Sequence, residues 1–139
     1  MTTEKPVCPS CNKPVRHRQG LAWCQDDQMT EADLQKRIMG RAKTRGWFVH
    51  HVGKGIATFD SNGNPIFVTT GSPGWPDLLF FKPGMPIPVF AMELKKQAGE
   101  VSPEQWVWLR RFNACGVPAV VIRPSHLRDG SVNAILNGR

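Results

Sequence analysis

Residues 89–94 read Val-Phe-Ala-Met-Glu-Leu, a strand-length run that is apolar at both parities apart from one glutamate. Successive side chains of a strand point to opposite faces, so such a run needs a packing layer on each side of its sheet. The rest of the chain supplies those layers. Thr30 has the character of an N-cap, with acidic Glu31 and Asp33 in the first turn, where the helix dipole favours them. Leu34, Ile38 and Ala42 follow at helical spacing until Gly46 stops the helix. Residues 47–52, 66–68, 77–81, 88–95 and 117–122 read as strands, with turn signals at 60–65 and 82–86. Residues 102–115 read as a second helix, with Ser102 as N-cap, Pro103 at its favoured first position and Gly116 as terminator. Its apolar stripe runs through Trp108, Leu109, Phe112 and Cys115, which predicts a buried Cys115. The order α-β-β-β-β-α-β describes an α/β fold, a mixed central sheet flanked by helices. Residues 124–139 read as a short, polar, mixed tail.

The glutamate in the apolar strand carries the chemistry. Glu93 and Lys95 share one face, while Leu94 points to the other. A charged pair at the end of such a strand costs free energy unless it is paired or binds a metal. Sixteen residues upstream, Gly74-Trp75-Pro76-Asp77 places a second carboxylate at the start of another strand. Asp77 and Glu93 together suit a hard divalent cation bound through oxygen. Lys95 beside them can steady an attacking water or the charge that develops on a phosphorus centre. That is the minimal kit for metal-assisted phosphodiester hydrolysis. Two further residues have both a structural and a functional reading. Gln105 stands at the fourth position of Ser102-Pro103-Glu104-Gln105, a capping box, and also on the apolar stripe that faces the site. Glu31, at the edge of the buried helical stripe, either looks inward toward the metal or serves the helix dipole in solvent.

The net charge of the 139 residues is +7, and residues 1–29 contribute four basic against three acidic side chains. The excess therefore sits in the rest of the chain, which favours a polyanionic partner such as DNA. No apolar run approaches the roughly 20 residues that span a bilayer, so no membrane partner is expected. The N-terminal residues lack the hydrophobic segment of a signal peptide, which predicts a cytoplasmic protein. In that compartment Cys8-Pro9-Ser10-Cys11 suggests metal before disulfide. Residues 1–28 thus read as a small zinc-knuckle segment ahead of a catalytic domain at 29–139. Cys8, Cys11 and Cys24 are three structural zinc ligands, and the fourth is His17 or Asp27, with His17 chemically the better.

In this order, Glu31 on a helix, Gly74-x-Pro76-Asp77, Glu93-x-Lys95 and Ser102-x-x-Gln105 before an apolar helix resemble the PD-(D/E)XK nucleases. Within that superfamily they are similar to the VRR-NUC family of virus-type replication and repair nucleases. The resemblance covers about residues 30–127 and includes Gly116 before a valine-rich strand. It implies a restriction-endonuclease-like core and Mg²⁺- or Mn²⁺-dependent DNA cleavage leaving a 5′-phosphate. The cation would be held by Asp77, Glu93 and the Leu94 backbone carbonyl, with Glu31 as an added ligand. It also implies a homodimer acting on branched DNA such as a four-way junction, in a phage or bacterial setting. The Cys-rich head departs from the short members of the family. A catalytically silent DNA-binding protein or adaptor with the same fold is the alternative, against which the intact Asp77-Glu93-Lys95 set argues.

Overall fold

The computed structural model describes the backbone at residues 15–18, 21–24, 27–51, 56–68 and 73–138, with side chains at 27–51, 59–64 and 73–138. The first element, a hairpin of β1 (Val15–Arg18) and β2 (Leu21–Cys24), is antiparallel and sets His17 opposite Ala22 and Val15 opposite Cys24. Helix α1 (Glu31–Thr44) begins as its sequence predicts. The Thr30 side chain accepts a hydrogen bond from the Asp33 amide at 3.1 Å, and Leu34, Ile38 and Ala42 are buried.

Strands β3 (Phe48–His51), β6 (Leu78–Phe81), β7 (Val89–Leu94) and β8 (Ala119–Ile122) form one four-stranded sheet in the order β3-β6-β7-β8. The first three are antiparallel neighbours, and β8 runs parallel to β7. The sheet is therefore mixed, as expected. A parallel pair needs a crossover, here helix α2 (Pro103–Ala114). Between β3 and β6 the chain makes a separate antiparallel hairpin of β4 (Ile56–Phe59) and β5 (Pro65–Val68). The Asp60 carboxylate closes its turn by accepting from the Asn62 and Asn64 amides, and these hydrogen bonds hold its pKa below the ordinary range.

The two faces of β7 bury different layers. Phe90, Met92 and Leu94 join Leu78, Phe80 and Ile122 beneath α1. Ala91 joins Ala119 and Leu109 beneath α2, with Leu79, Val101, Phe112 and Val121 partly buried around them. Trp47 is buried just before β3, packed edge-on against Phe80 and Phe90.

Two expectations are corrected. The segment after residue 124 is not a polar tail. It forms α3 (Ser125–Arg128) and α4 (Ser131–Leu136), which send Leu127, Val132 and Leu136 into the core under α1. The indole of Trp47 donates to the Leu136 carbonyl at 2.9 Å, and Arg41 donates to the Leu127 carbonyl and the Asn133 side chain. Cys115 is exposed rather than buried, because the helix ends at Ala114 and residue 115 serves as its C-cap. No helix among the described residues is long and apolar enough to cross a membrane.

Candidate active site

The site begins at a turn that only glycine can make. Gly74 has φ +85°, and a Cβ there would lie 2.6 Å from the Glu104 carbonyl oxygen and 2.7 Å from the Gln105 nitrogen. The 73–77 loop therefore passes directly against the first turn of α2, backbone to backbone. Trp75 secures it, packing edge-on against Trp108 at 4.8 Å and Phe112 at 5.0 Å between ring centroids. Arg111 lies over the other partner, its guanidinium 4.8 Å from the Trp108 ring. Pro76 is fully buried, and Asp77 emerges at the edge of β6.

In a strand–helix–strand unit the helix starts near the carboxyl end of the first strand. Glu93, next to last in β7, thus meets the first turn of α2. Its side chain is 2 % exposed. Gln105 Nε2 donates to Glu93 Oε1 at 2.7 Å. The other end of the same amide completes the capping box, with Gln105 Oε1 accepting from the Ser102 amide at 2.8 Å and the Ser102 hydroxyl accepting from the Gln105 amide. The two readings of Gln105 are therefore not alternatives, since one side chain caps α2 and holds the buried carboxylate. Asp77 is fixed from the other side, its Oδ2 accepting from the Leu94 amide at 2.8 Å. Leu94, whose carbonyl is the expected ligand, also enters the site through its amide.

Glu93 Oε2 is buried with no hydrogen-bond partner among the described residues. An ionised carboxylate in that position is costly, and the pKa of Glu93 is raised from 4.5 to about 8. Burial is the main cause, followed by the neighbouring charge of Asp77 and a hydrogen bond with Asp77. That last bond requires a proton shared between the two carboxyls. Lys95 pulls the pKa down and Glu31 pushes it up, so both side chains lie within the electrostatic reach of Glu93. Glu31 is exposed at the start of α1. Among the described residues no three His, Cys, Asp or Glu side chains converge as a metal-ligand cluster, so Glu31 does not close a third carboxylate onto Asp77 and Glu93.

An orphaned, buried carboxylate oxygen beside a second carboxylate fits a hard cation. Mg²⁺ in particular keeps several waters and takes one or two carboxylates from the protein. The same positive charge would relieve both the burial of Glu93 and its repulsion with Asp77.

Of the other sequence candidates, Cys8 and Cys11 lie outside the described residues. His17 and Cys24 are placed by backbone register alone. Asp27, the alternative zinc ligand, has a different partner. It is 2 % exposed and both of its oxygens accept from Arg128, at 3.3 and 2.7 Å. Arg41 donates through Nη1 to Leu127 and Asn133, and Arg45 donates to Asn137, which ties α1 to the C-terminal helices. His50 and His51 are exposed opposite Leu79 and Leu78. Trp106 is 45 % exposed, so it is Trp108 that anchors the 73–77 loop.

The fold is a restriction-endonuclease-like α/β architecture. A solved structure described as "VRR_NUC domain" matches it with a TM-score of 0.50 and 21% sequence identity, over 77% of this chain and 94% of that one. At that identity the likeness is one of fold. Neither a family model nor a curated protein matches the sequence.

Proposed function

We propose that this chain is a metal-dependent endonuclease that hydrolyses DNA phosphodiester bonds, selective for branched or four-way DNA and acting as a homodimer. One observation carries the reading: Glu93 is held in the interior by Gln105, beside Asp77, with an unsatisfied oxygen. A protein that used this surface only for packing would have no reason to bury that oxygen next to a second acid. The basic net charge and the fold shared with a VRR_NUC domain support DNA as the substrate.

In this reading Asp77, Glu93 and the Leu94 carbonyl hold Mg²⁺ or Mn²⁺, with Glu31 adding outer negative charge. When bound, the cation supplies Lewis-acid neutralisation of the phosphate. Gln105 fixes the rotamer of Glu93, and the Leu94 amide fixes that of Asp77. Lys95 orients the attacking water and stabilises the charge that develops on phosphorus, without a covalent intermediate. Cys8, Cys11, Cys24 and His17 hold a structural Zn²⁺ in a segment too short to bury a core of its own.

The test is cleavage of labelled linear, flap, splayed and four-way DNA with Mg²⁺, Mn²⁺ or EDTA, beside Asp77→Ala and Lys95→Ala. Metal-dependent cutting lost in both variants is the expected result, with loss of about 10²-fold or more for Lys95→Ala. Equal cutting by the variants would place the activity elsewhere. DNA binding without any cutting would favour the silent binding protein. Elemental analysis of wild type against Cys8→Ser tests the zinc segment directly.

A further inference from the structure

On the face of the sheet opposite Glu93, helices α1 and α3 border a cavity of about 320 Å³. Its wall carries three guanidinium groups, Arg37, Arg41 and Arg128, against one carboxylate, Asp27, with Met29 and Leu127 as the apolar part. That carboxylate is already committed, since Asp27 is 2 % exposed and bound to Arg128 at 2.7 Å. The remaining positive charge is therefore unopposed within the wall.

The two arginines of α1 are differently prepared. Arg41 is aimed by hydrogen bonds from Nη1 to the Leu127 carbonyl at 3.2 Å and to Asn133 Oδ1 at 3.1 Å. Both pass through one nitrogen, so the Nε and Nη2 donors of the fork have no described partner. Arg37, one turn earlier on the same helix face, has a side chain with no hydrogen bond or ion pair among the described residues. Like charges at that spacing repel on a bare helix, and an anion bridging the two forks reverses the sign of that interaction.

We propose that this cavity binds a phosphate group, gripped between Arg37 and Arg41 with Arg128 behind it. The inference stands on the cavity and does not require the chain to cut DNA. Two sources offer that chemistry: a backbone phosphate of a DNA strand, or free phosphate and phosphomonoesters.

The full-length protein in EDTA is titrated with inorganic phosphate by ³¹P line broadening, and separately with duplex DNA over a series of salt concentrations. Arg37→Gln is compared with Lys36→Gln, an equal charge change at an exposed neighbour that does not line the cavity. Arg37 has no hydrogen-bond or ion-pair partner to lose among the described residues, so thermal melts of the two variants should coincide. Saturable phosphate binding that Arg37→Gln weakens roughly tenfold, and Lys36→Gln does not, supports the site with free phosphate as a ligand. A fall of about 1 in the slope of log affinity against log salt for Arg37→Gln alone supports a DNA backbone phosphate. Indistinguishable variants in both titrations would overturn the proposal. Because no step requires cleavage, failure of the nuclease reading leaves the outcome interpretable.

Discussion

Replacing Glu93 with glutamine should stabilise the metal-free protein, and by an amount that grows with pH. Below about pH 4.5 the Glu93 carboxyl is protonated in both folded and unfolded chains, and nothing is lost. As pH rises the unfolded chain ionises near 4.5, while the folded protein holds its proton to about 8. The folded state then binds more protons than the unfolded one, so stability falls as pH rises through that window. A pKa unit is about 1.4 kcal/mol, so a shift from 4.5 to about 8 corresponds to roughly 5 kcal/mol, complete above pH 8. Glu93→Gln removes the titration but keeps the geometry. Its carbonyl oxygen can accept from Gln105 as Glu93 Oε1 does, and its amide can donate to Asp77 in place of the shared proton. The assay is urea unfolding in EDTA from pH 4.5 to 9, followed by tryptophan fluorescence, for wild type and variant. Histidines and the distant titrating groups are common to both proteins, so the difference between the two reports the coupled Glu93–Asp77 pair. That difference should widen by several kcal/mol across the window and then level off. A difference constant within about 1 kcal/mol would refute the burial and Asp77 repulsion from which the prediction is built.

Gly74→Ala should destabilise by about 3 kcal/mol in equilibrium unfolding, since a side chain at φ +85° also collides with the first turn of α2. A loss below 1 kcal/mol would mean that the loop is not seated on that helix. Gln105→Ala should cost about 1–2 kcal/mol through the lost cap and should suppress metal-dependent cutting. Ser102→Ala, which breaks the cap but not the bond to Glu93, should show the stability loss with most of the cutting retained. Asp27→Ala should cost roughly 1–2 kcal/mol in the same unfolding assay, because it removes the buried acceptor of two hydrogen bonds from the partly exposed Arg128 side chain.

The two long helices were legible because each carries its own start signal. Thr30 with Glu31 and Asp33, and Ser102 with Pro103 and Gln105, cap α1 and α2 as their residue types require. The sheet strands were legible from apolar runs bounded by turn residues, to within a residue or two at their ends. Helices α3 and α4 were not, since runs of four and six residues have too little period and propensity to register. What orders them is tertiary: the Trp47 indole on the Leu136 carbonyl and the Arg41 fork on Leu127 and Asn133. Strand β4 was missed because its four residues gain strand character only by pairing with β5. Cys115 failed for a different reason, as helical spacing was extended one residue past the last helical position. In the site, Asp77, Glu93 and Gln105 were each visible from local motifs. The pairing of Asp27 with Arg128, 101 residues apart, had no local signal.

The arrangement of the carboxylates follows from how the chain is closed rather than from any one motif. The parallel crossover puts the first turn of α2 at the end of β7, and the glycine at 74 lets the loop before β6 slide under that same turn. Asp77 and Glu93, on antiparallel neighbours, are then brought together by the register that sets Leu78 opposite Met92. Each carboxylate is held by a group the fold also uses: Asp77 by a backbone amide of β7, Glu93 by the glutamine that caps α2. Docking of α2 and preorganisation of the site are therefore one event. A chain in which α2 is frayed would release Glu93 to solvent, lower its pKa toward the ordinary value and lose the orphaned oxygen that favours a cation. If the site takes the proposed cation, its binding and the capping of α2 should reinforce each other, and a bound metal would stabilise the fold through the first turn of that helix.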